Sequence, residues 1–225
     1  MTPPPVRDVT AYAEERRLPP SVTQTSAESL LDGKLGALSN SSRPLFLDGP
    51  LEADRVVLRR LTERDALALH RSAGDPEAMR YWYPGPDADL EQTARRIADI
   101  EEHWRRCGFG DWAVAGRLSG ELIGFAGLHH IADMAEVNIG YVLEPRYWRR
   151  GLGSEVCRLV LDYGFKQLAL PEVVAVIDPH NDASIGLVRK FGLRLRERCA
   201  WQGQARVVYA LTQADWEAQG ERSST

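Results

Sequence analysis

Cysteine is scarce in this chain: Cys107, Cys157 and Cys199 are the only three in 225 residues, far apart and without a Cys-x-x-Cys pair. That pattern excludes a disulfide framework and a zinc-finger type of site, and it predicts three reduced, structural thiols. No metal-binding carboxylate cluster appears either, so no metal is expected. No apolar run approaches the ~20 residues of a membrane span. An excess of basic residues is also missing: 28 Lys and Arg stand against 32 Asp and Glu, for a formal charge of −4. Without a polybasic footprint, neither nucleic acid nor an anionic membrane is an expected partner. The start, Met1-Thr-Pro-Pro-Pro, lacks the basic and apolar regions of a signal peptide, which predicts a cytoplasmic location.

What is present is a composition fit for a packed core, 44% hydrophobic. Residues 1–50 differ from the rest. They hold seven of the thirteen prolines and a Ser/Asn-rich stretch near residues 38–44. They read as a partly ordered extension with short helical patches over 6–17 and 27–38. A domain over 51–216 and a polar tail over 217–225 complete the organisation.

From Leu51 the periodicity sharpens. Residues 55–61 read as a strand, and Thr62-Glu-Arg-Asp65 as a capping-box-like helix start running to about Ser72. Ala94, Ile97, Ile100 and Trp104 share one face of a helix over 90–107, which Gly108 ends. Three closely spaced strands follow, over 111–117, 121–130 and 135–143, as an antiparallel meander. A helix over 151–168 then leads to the β-rich run 173–177, which implies a parallel strand pair with a right-handed crossover. A helix over 181–191 and two strands, 193–201 and 206–212, finish the domain. The fold class is α/β, with a mixed, mostly antiparallel sheet containing one parallel βαβ step.

The most informative segment is Leu143-Glu-Pro-Arg-Tyr-Trp-Arg-Arg-Gly-Leu-Gly-Ser-Glu155. A strand ends, a loop turns, and Gly151 and Gly153 lead into a helix. Glycines let the backbone approach a ligand, and the free N–H groups of a first helical turn point at an anion. Arg149 and Arg150 add charge-assisted contacts. The physics fits a pyrophosphate, although a simple helix-start turn reads the same way. A dinucleotide fingerprint would place glycine where Val156 stands, and the Gly-Lys-Ser/Thr of a Walker loop is absent.

Tyr147-Trp-Arg-Arg-Gly-Leu-Gly-Ser-Glu155 resembles the acetyl-CoA motif of the GNAT superfamily of N-acetyltransferases, with Trp148 at its Gln/Arg position. Downstream, Asn181-Asp-Ala-Ser-Ile-Gly-Leu-Val-Arg-Lys-Phe-Gly-Leu193 looks like the second motif of the branch similar to ribosomal-protein alanine acetyltransferases. Asp75-Pro-Glu-Ala-Met-Arg-Tyr-Trp82, Gly110-Asp-Trp-Ala-Val114 and Leu122-Ile-Gly-Phe-Ala-Gly-Leu128 resemble the same branch. The resemblance covers about residues 51–216. It implies a central strand pair that splays to admit acetyl-CoA as co-substrate. The backbone of Tyr141, Val142 and Leu143 would meet the pantetheine. Arg149, Arg150, Gly151, Leu152, Gly153 and Ser154 would hold the pyrophosphate, and Asn181 would contact the pantetheine arm. The function implied is acetyl transfer to a primary amine, of a protein N-terminus or a small molecule, in a ternary complex.

Transfer requires a neutral amine, and a lysine amine titrates near 10.4 against about 7.7–8.0 for an α-amine. His129 and His130 point to opposite strand faces, so only one can enter a cleft. Glu136, Asn138 and Gly140 alternate onto one face. The related branch often carries Glu where Asn138 stands, so Glu136 acting through water and His129 are the base candidates. Many GNAT enzymes place a tyrosine acid where Val188 stands here. Ser184 is the remaining candidate donor to the leaving sulfur. Tyr81, Trp82 and Tyr83 form an aromatic stretch that either walls the amine pocket or packs in the core. An alternative reading is a catalytically silent CoA-binding regulatory module. The assembly expected is a monomer or homodimer.

Overall fold

The computed structural model describes residues 7–8, 49–131 and 136–222. Among the described residues nine strands form one sheet: β1 (Arg7–Asp8), β2 (Leu51–Glu52), β3 (Val56–Arg59), β4 (Asp111–Gly116), β5 (Leu122–His130), β6 (Val137–Leu143), β7 (Glu172–Ile177), β8 (Arg194–Trp201) and β9 (Gln204–Thr212). Their order is β1-β8-β9-β7-β6-β5-β4-β3-β2. Neighbours from β2 to β6 are antiparallel, β6 and β7 are parallel, and β7, β9 and β8 are antiparallel again. The helices are α1 (Ala66–Ala73), α2 (Leu90–Cys107), α3 (Leu152–Asp162), α4 (Asp182–Lys190) and α5 (Gln213–Arg222).

Local chemistry sets the boundaries. Thr62 and Asp65 close a capping box at the turn that feeds α1. The Asp89 carboxylate accepts from the Gln92 N–H at 2.8 Å and starts α2. Gly108 ends α2 in the left-handed region, φ 76°, its N–H bonded to the Trp104 carbonyl. Every residue of β5 from Leu122 to Leu128 is buried, because the strand is covered on both faces. Phe125 meets Trp82 on one side, whereas Leu128 packs towards Gly164, just past α3, on the other.

Three expectations change. Arg7 and Asp8, placed in a helical patch over 6–17, form a two-residue strand parallel to β8 at Cys199 and Ala200. The rest of that patch, and the one over 27–38, lies outside the described residues. The helix expected over 151–168 is α-helical only to Asp162. Tyr163–Gln167 is a π-helical turn that buries Tyr163 and Phe165. Residues 217–222, read as a polar tail, continue α5, which Trp216 anchors against Phe165 and Phe191. No helix among the described residues is long and apolar enough to cross a membrane.

Candidate active site

The parallel pair β6–β7 is joined at one position, Asn138 opposite Val174. Beyond it the strands part, and the reason is a side chain. Asn138 Oδ1 accepts the Val176 N–H at 2.9 Å, a bond that a continuous parallel ladder would give to a β6 carbonyl. The β6 backbone from Gly140 onward therefore has no strand partner on its β7 side, which leaves polar groups available to an extended ligand.

The loop at the mouth of this wedge could hold an anion. Arg149, φ 57°, and Gly151, φ 78°, both adopt the left-handed conformation. Behind them α3 begins, and of its first-turn donors Ser154 already gives its N–H to the Gly151 carbonyl at 3.0 Å, whereas the Leu152 and Gly153 N–H groups have no helical partner. Arg55 braces the loop from the start of β3: its guanidinium donates to the Arg150 carbonyl at 2.8 Å and to the Glu155 carboxylate. A Cβ on Gly151 would stand 3.1 Å from Arg55 Nη2, and a side chain there would also be strained by the positive φ. Leu152 is buried, while Gly153 and Ser154 are half-buried in the first turn. Lys190 reaches from the end of α4 to Ser154 Oγ, 3.2 Å away, which adds a third cation beside Arg149 and Arg150. Trp148, at the motif's Gln/Arg position, donates from Nε1 to the Leu143 carbonyl at 2.7 Å. It ties the loop back to β6 and uses one of the backbone groups expected to face the pantetheine. Val142 and Leu143 are themselves buried.

Asn181 and Ser184 lie across the wedge. The Asn181 side chain caps α4 by accepting from the Ser184 N–H at 3.1 Å. Ser184 Oγ is 3.2 Å from the Tyr141 hydroxyl.

On the other face of β6, His129 and Asn138 sit opposite each other in the ladder. Asn138 Nδ2 lies 3.0 Å from His129 Nε2, and His129 Nδ1 lies 3.2 Å from Asp111 Oδ1. The amide orientation follows from chemistry: because the Val176 N–H needs an acceptor, Oδ1 must face it, and Nδ2 then donates to His129. The neutral ring therefore carries its proton on Nδ1, towards Asp111. Burial works against the charged imidazole, but the Asp111 carboxylate outweighs it and holds the His129 pKa above the ordinary histidine value. His103 is pushed down by its burial. Its Nδ1 bonds the Phe109 carbonyl at 2.7 Å, and its Nε2 accepts from the His130 N–H.

His129 and Asp111 border a cavity of about 460 Å³, whose lining includes Pro84, Asp87, Arg96, Asp99 and His103. Asp87 and Arg96 form a bidentate pair, with the closest contact at 2.6 Å. Asp99 has no ion-pair partner among the described residues. Trp82 lies near His129, ring centroids 6.0 Å apart, and covers Gly140. Tyr83 packs edge-on against Trp201 at 5.1 Å, and Tyr81 stacks with Arg80. Of the aromatic stretch, Trp82 therefore reaches the His129 side of the site. Glu136 stands apart from this network. Arg196 engages its carboxylate at 3.0 Å and also binds Glu172 and Glu197.

Sequence reasoning missed Asp111, Asp99 and Arg55. Each lies far along the chain from its partner or site, with no local spacing to mark it. It also treated Asn138 as a lost base rather than as the residue that parts the strands.

Comparison with known proteins agrees with this architecture. The sequence profile of the acetyltransferase (GNAT) domain matches residues 55–194. An uncharacterised N-acetyltransferase of Bacillus subtilis, YoaA, is 34% identical over 145 residues, 64% of this chain and 82% of that protein. Spermidine N(1)-acetyltransferase of Escherichia coli is 28% identical over 144 residues, 62% of this chain and 73% of that protein. Among solved structures, a GNAT-family acetyltransferase from Bacillus anthracis aligns with a TM-score of 0.64 at 23% identity, covering 74% of this chain and 99% of that one. The ribosomal-protein-S5-alanine acetyltransferase of Vibrio fischeri aligns at 0.64 with 16% identity, covering 75% and 99%. None of these comparisons supports a catalytically silent module. With the splayed β6–β7 pair, the glycine loop and the profile match in agreement, the chain belongs to the GNAT family of acetyltransferases and is an acyltransferase.

Proposed function

We propose that this enzyme transfers an acetyl group from acetyl-CoA directly to a primary amine held in the cavity beside His129. The observation that carries the reading is the single bridge between β6 and β7 at Asn138, which opens the sheet next to the anion-shaped loop 149–154. The residues fit the co-substrate: the loop offers N–H groups and three cations to a pyrophosphate, and the unpaired β6 backbone suits an amide-bearing arm. Bound there, acetyl-CoA supplies the activated acyl group.

The chain's own groups do the rest. Loop and strand position the thioester, and positioning carries most of the rate. His129, with Nδ1–H committed to Asp111, presents the Nε2 lone pair now occupied by the Asn138 amide. The incoming ammonium, directly or through a water, displaces that amide and delivers its proton to Nε2, and Asp111 stabilises the imidazolium formed. Ser184 donates a hydrogen bond to the departing sulfur.

The acceptor is a small amine bearing further positive charge. The cavity lies in the size range of small-molecule sites, and both arginines that line it are paired, Arg96 with Asp87 and Arg95 with Glu91, which leaves Asp99 and the Asp111–His129 pair to attract a cation. The relationship to a spermidine acetyltransferase favours the same class. A protein N-terminus is the second reading, suggested by the shared fold with the S5-alanine acetyltransferase.

Thermal unfolding with and without acetyl-CoA tests the donor site. At ~100 times the dissociation constant, binding adds roughly 2.7 kcal/mol. The Gly151→Glu variant, which places a carboxylate in the cradle, should lose that shift. No shift in the unmodified protein at millimolar acetyl-CoA overturns the reading. A screen of polyamines, aminoglycosides, amino acids and N-terminal peptides for free-thiol release decides the acceptor class.

A further inference from the structure

Tyr141 follows the last β6–β7 bridge by three residues, and its side chain crosses the wedge. Its ring lies against Gly153 of α3: a Cβ on that glycine would stand 3.7 Å from Tyr141 Cε2. Its hydroxyl ends 3.2 Å from Ser184 Oγ, on α4. Ser184 is fixed in turn, because the Asn181 side chain accepts its N–H. Two hydroxyls from different elements therefore meet at the opening, each held by its own scaffold.

A serine hydroxyl has one proton and can accept as well as donate. The phenol is the more acidic of the two groups and the better donor. If Tyr141 donates to Ser184 Oγ, the serine's proton must point elsewhere, and the open direction is the wedge. We propose that Tyr141 is a positioning residue for acetyl transfer: its hydroxyl donates to Ser184 and thereby directs the Ser184 proton at the departing sulfur. This role rests on the reading of Ser184 as the sulfur-side donor. In the transfer the amine nitrogen bonds to the carbonyl carbon and the carbon–sulfur bond breaks. The electron pair leaves with sulfur, which Ser184 meets with a hydrogen bond; of the two protons the ammonium sheds, the first goes to His129 before attack, and the second, lost from nitrogen as the adduct collapses, ends on the departing thiolate as the free thiol. Tyr141 keeps its proton throughout. Burial and the neighbouring Cys157 thiol push the phenol up to about 12, which suits an orienting group and not a proton source.

The test compares wild type, Tyr141→Phe, Ser184→Ala and the double variant, with acetyl-CoA affinity measured by calorimetry and kcat by thiol release. The expected result is unchanged affinity in Tyr141→Phe with kcat down about tenfold, a larger loss in Ser184→Ala, and a double variant no slower than Ser184→Ala alone. Ser184→Thr, which keeps the hydroxyl, should retain the dependence on Tyr141, and melting temperatures check that each variant folds. Wild-type kcat in Tyr141→Phe overturns the assignment. So do losses that multiply in the double variant, a Tyr141→Phe loss exceeding that of Ser184→Ala, and loss of acetyl-CoA affinity. A separate failure is full activity in Ser184→Ala, which removes the serine from the reaction and this role with it.

Discussion

At the scale of single residues, the Asp111–His129–Asn138 chain is the feature with the sharpest consequences. If neutral His129 takes the amine proton, kcat/KM rises with pH through an inflection above the ordinary histidine value of about 6.5. Asp111→Asn removes the charge that raises this pKa while burial still lowers it. Its profile should therefore inflect at lower pH, with kcat reduced about a hundredfold. A pH-rate profile showing the same inflection in both proteins would sink the assignment. Stability is linked to the same group. A raised native pKa means that the folded state binds the proton more tightly. Its contribution is full below the unfolded value and vanishes as pH climbs through the native one. The urea midpoint of wild type minus that of His129→Gln should accordingly be larger at acid than at alkaline pH. Gly140 makes a neighbouring prediction. A Cβ there would stand 2.9 Å from both His129 Cε1 and Trp82 Cη2, two side chains that can give way. Gly140→Ala should fold, bind acetyl-CoA, and lose about tenfold or more in kcat/KM through displaced groups.

At the scale of elements, the strand pair β6–β7 and the hairpin β5–β6 respond to different changes. A Cβ on Gly124 would lie 2.0 Å from the Val142 carbonyl oxygen and 2.9 Å from Leu143 Cα, both backbone. Gly124→Ala should cost about 2 kcal/mol or more in denaturant unfolding, because a strand and not a side chain has to move. Asn138→Leu leaves the part-buried Val176 N–H without its acceptor. The expected loss is about 1–3 kcal/mol, accompanied by altered acetyl-CoA affinity as the wedge changes shape. Unchanged stability and affinity would mean that the strands part for another reason. The elements themselves were largely legible. The period of α2 and the turn at Gly108 act through neighbours in sequence, and each emerged where the pattern placed it, whereas the strand expected over 55–61 is shorter, Val56–Arg59. The π turn after Asp162 was not legible, since its residues continue the helical pattern while packing sets their hydrogen bonding. Nor was α5 beyond Trp216, where polarity suggested a tail and the buried tryptophan in fact holds the helix.

For the molecule as a whole, a net charge of −4 conceals a separation. Arg149, Arg150 and Lys190 gather at the loop, whereas across the sheet Asp99 and Asp111 line a cavity whose Arg95 and Arg96 are paired with Glu91 and Asp87. An anionic donor and a cationic acceptor would each meet the opposite charge. The KM for a polyamine acceptor should therefore rise with salt, because screening shortens to ~8 Å at physiological ionic strength. Asp99→Asn should raise that KM several-fold with little change in kcat. A KM independent of both salt and Asp99 would favour the neutral or protein-terminal acceptor.

By itself the sequence determined the family and most of the order of the elements, and it marked the loop that we propose holds the donor. These depend on local spacing: glycines at a helix start, apolar periods, and caps within four residues. Only the tertiary structure decided which side chains face one another. It brought Asp111 to His129 across 18 residues, Tyr141 to Ser184 across 43, and Asn138 to the Val176 backbone across 38. It also withdrew Glu136 into an ion pair with Arg196, 60 residues away. Such contacts arise from strand order and register, which no short stretch of chain encodes, and side chains acquire a chemical role only once the sheet has set them face to face.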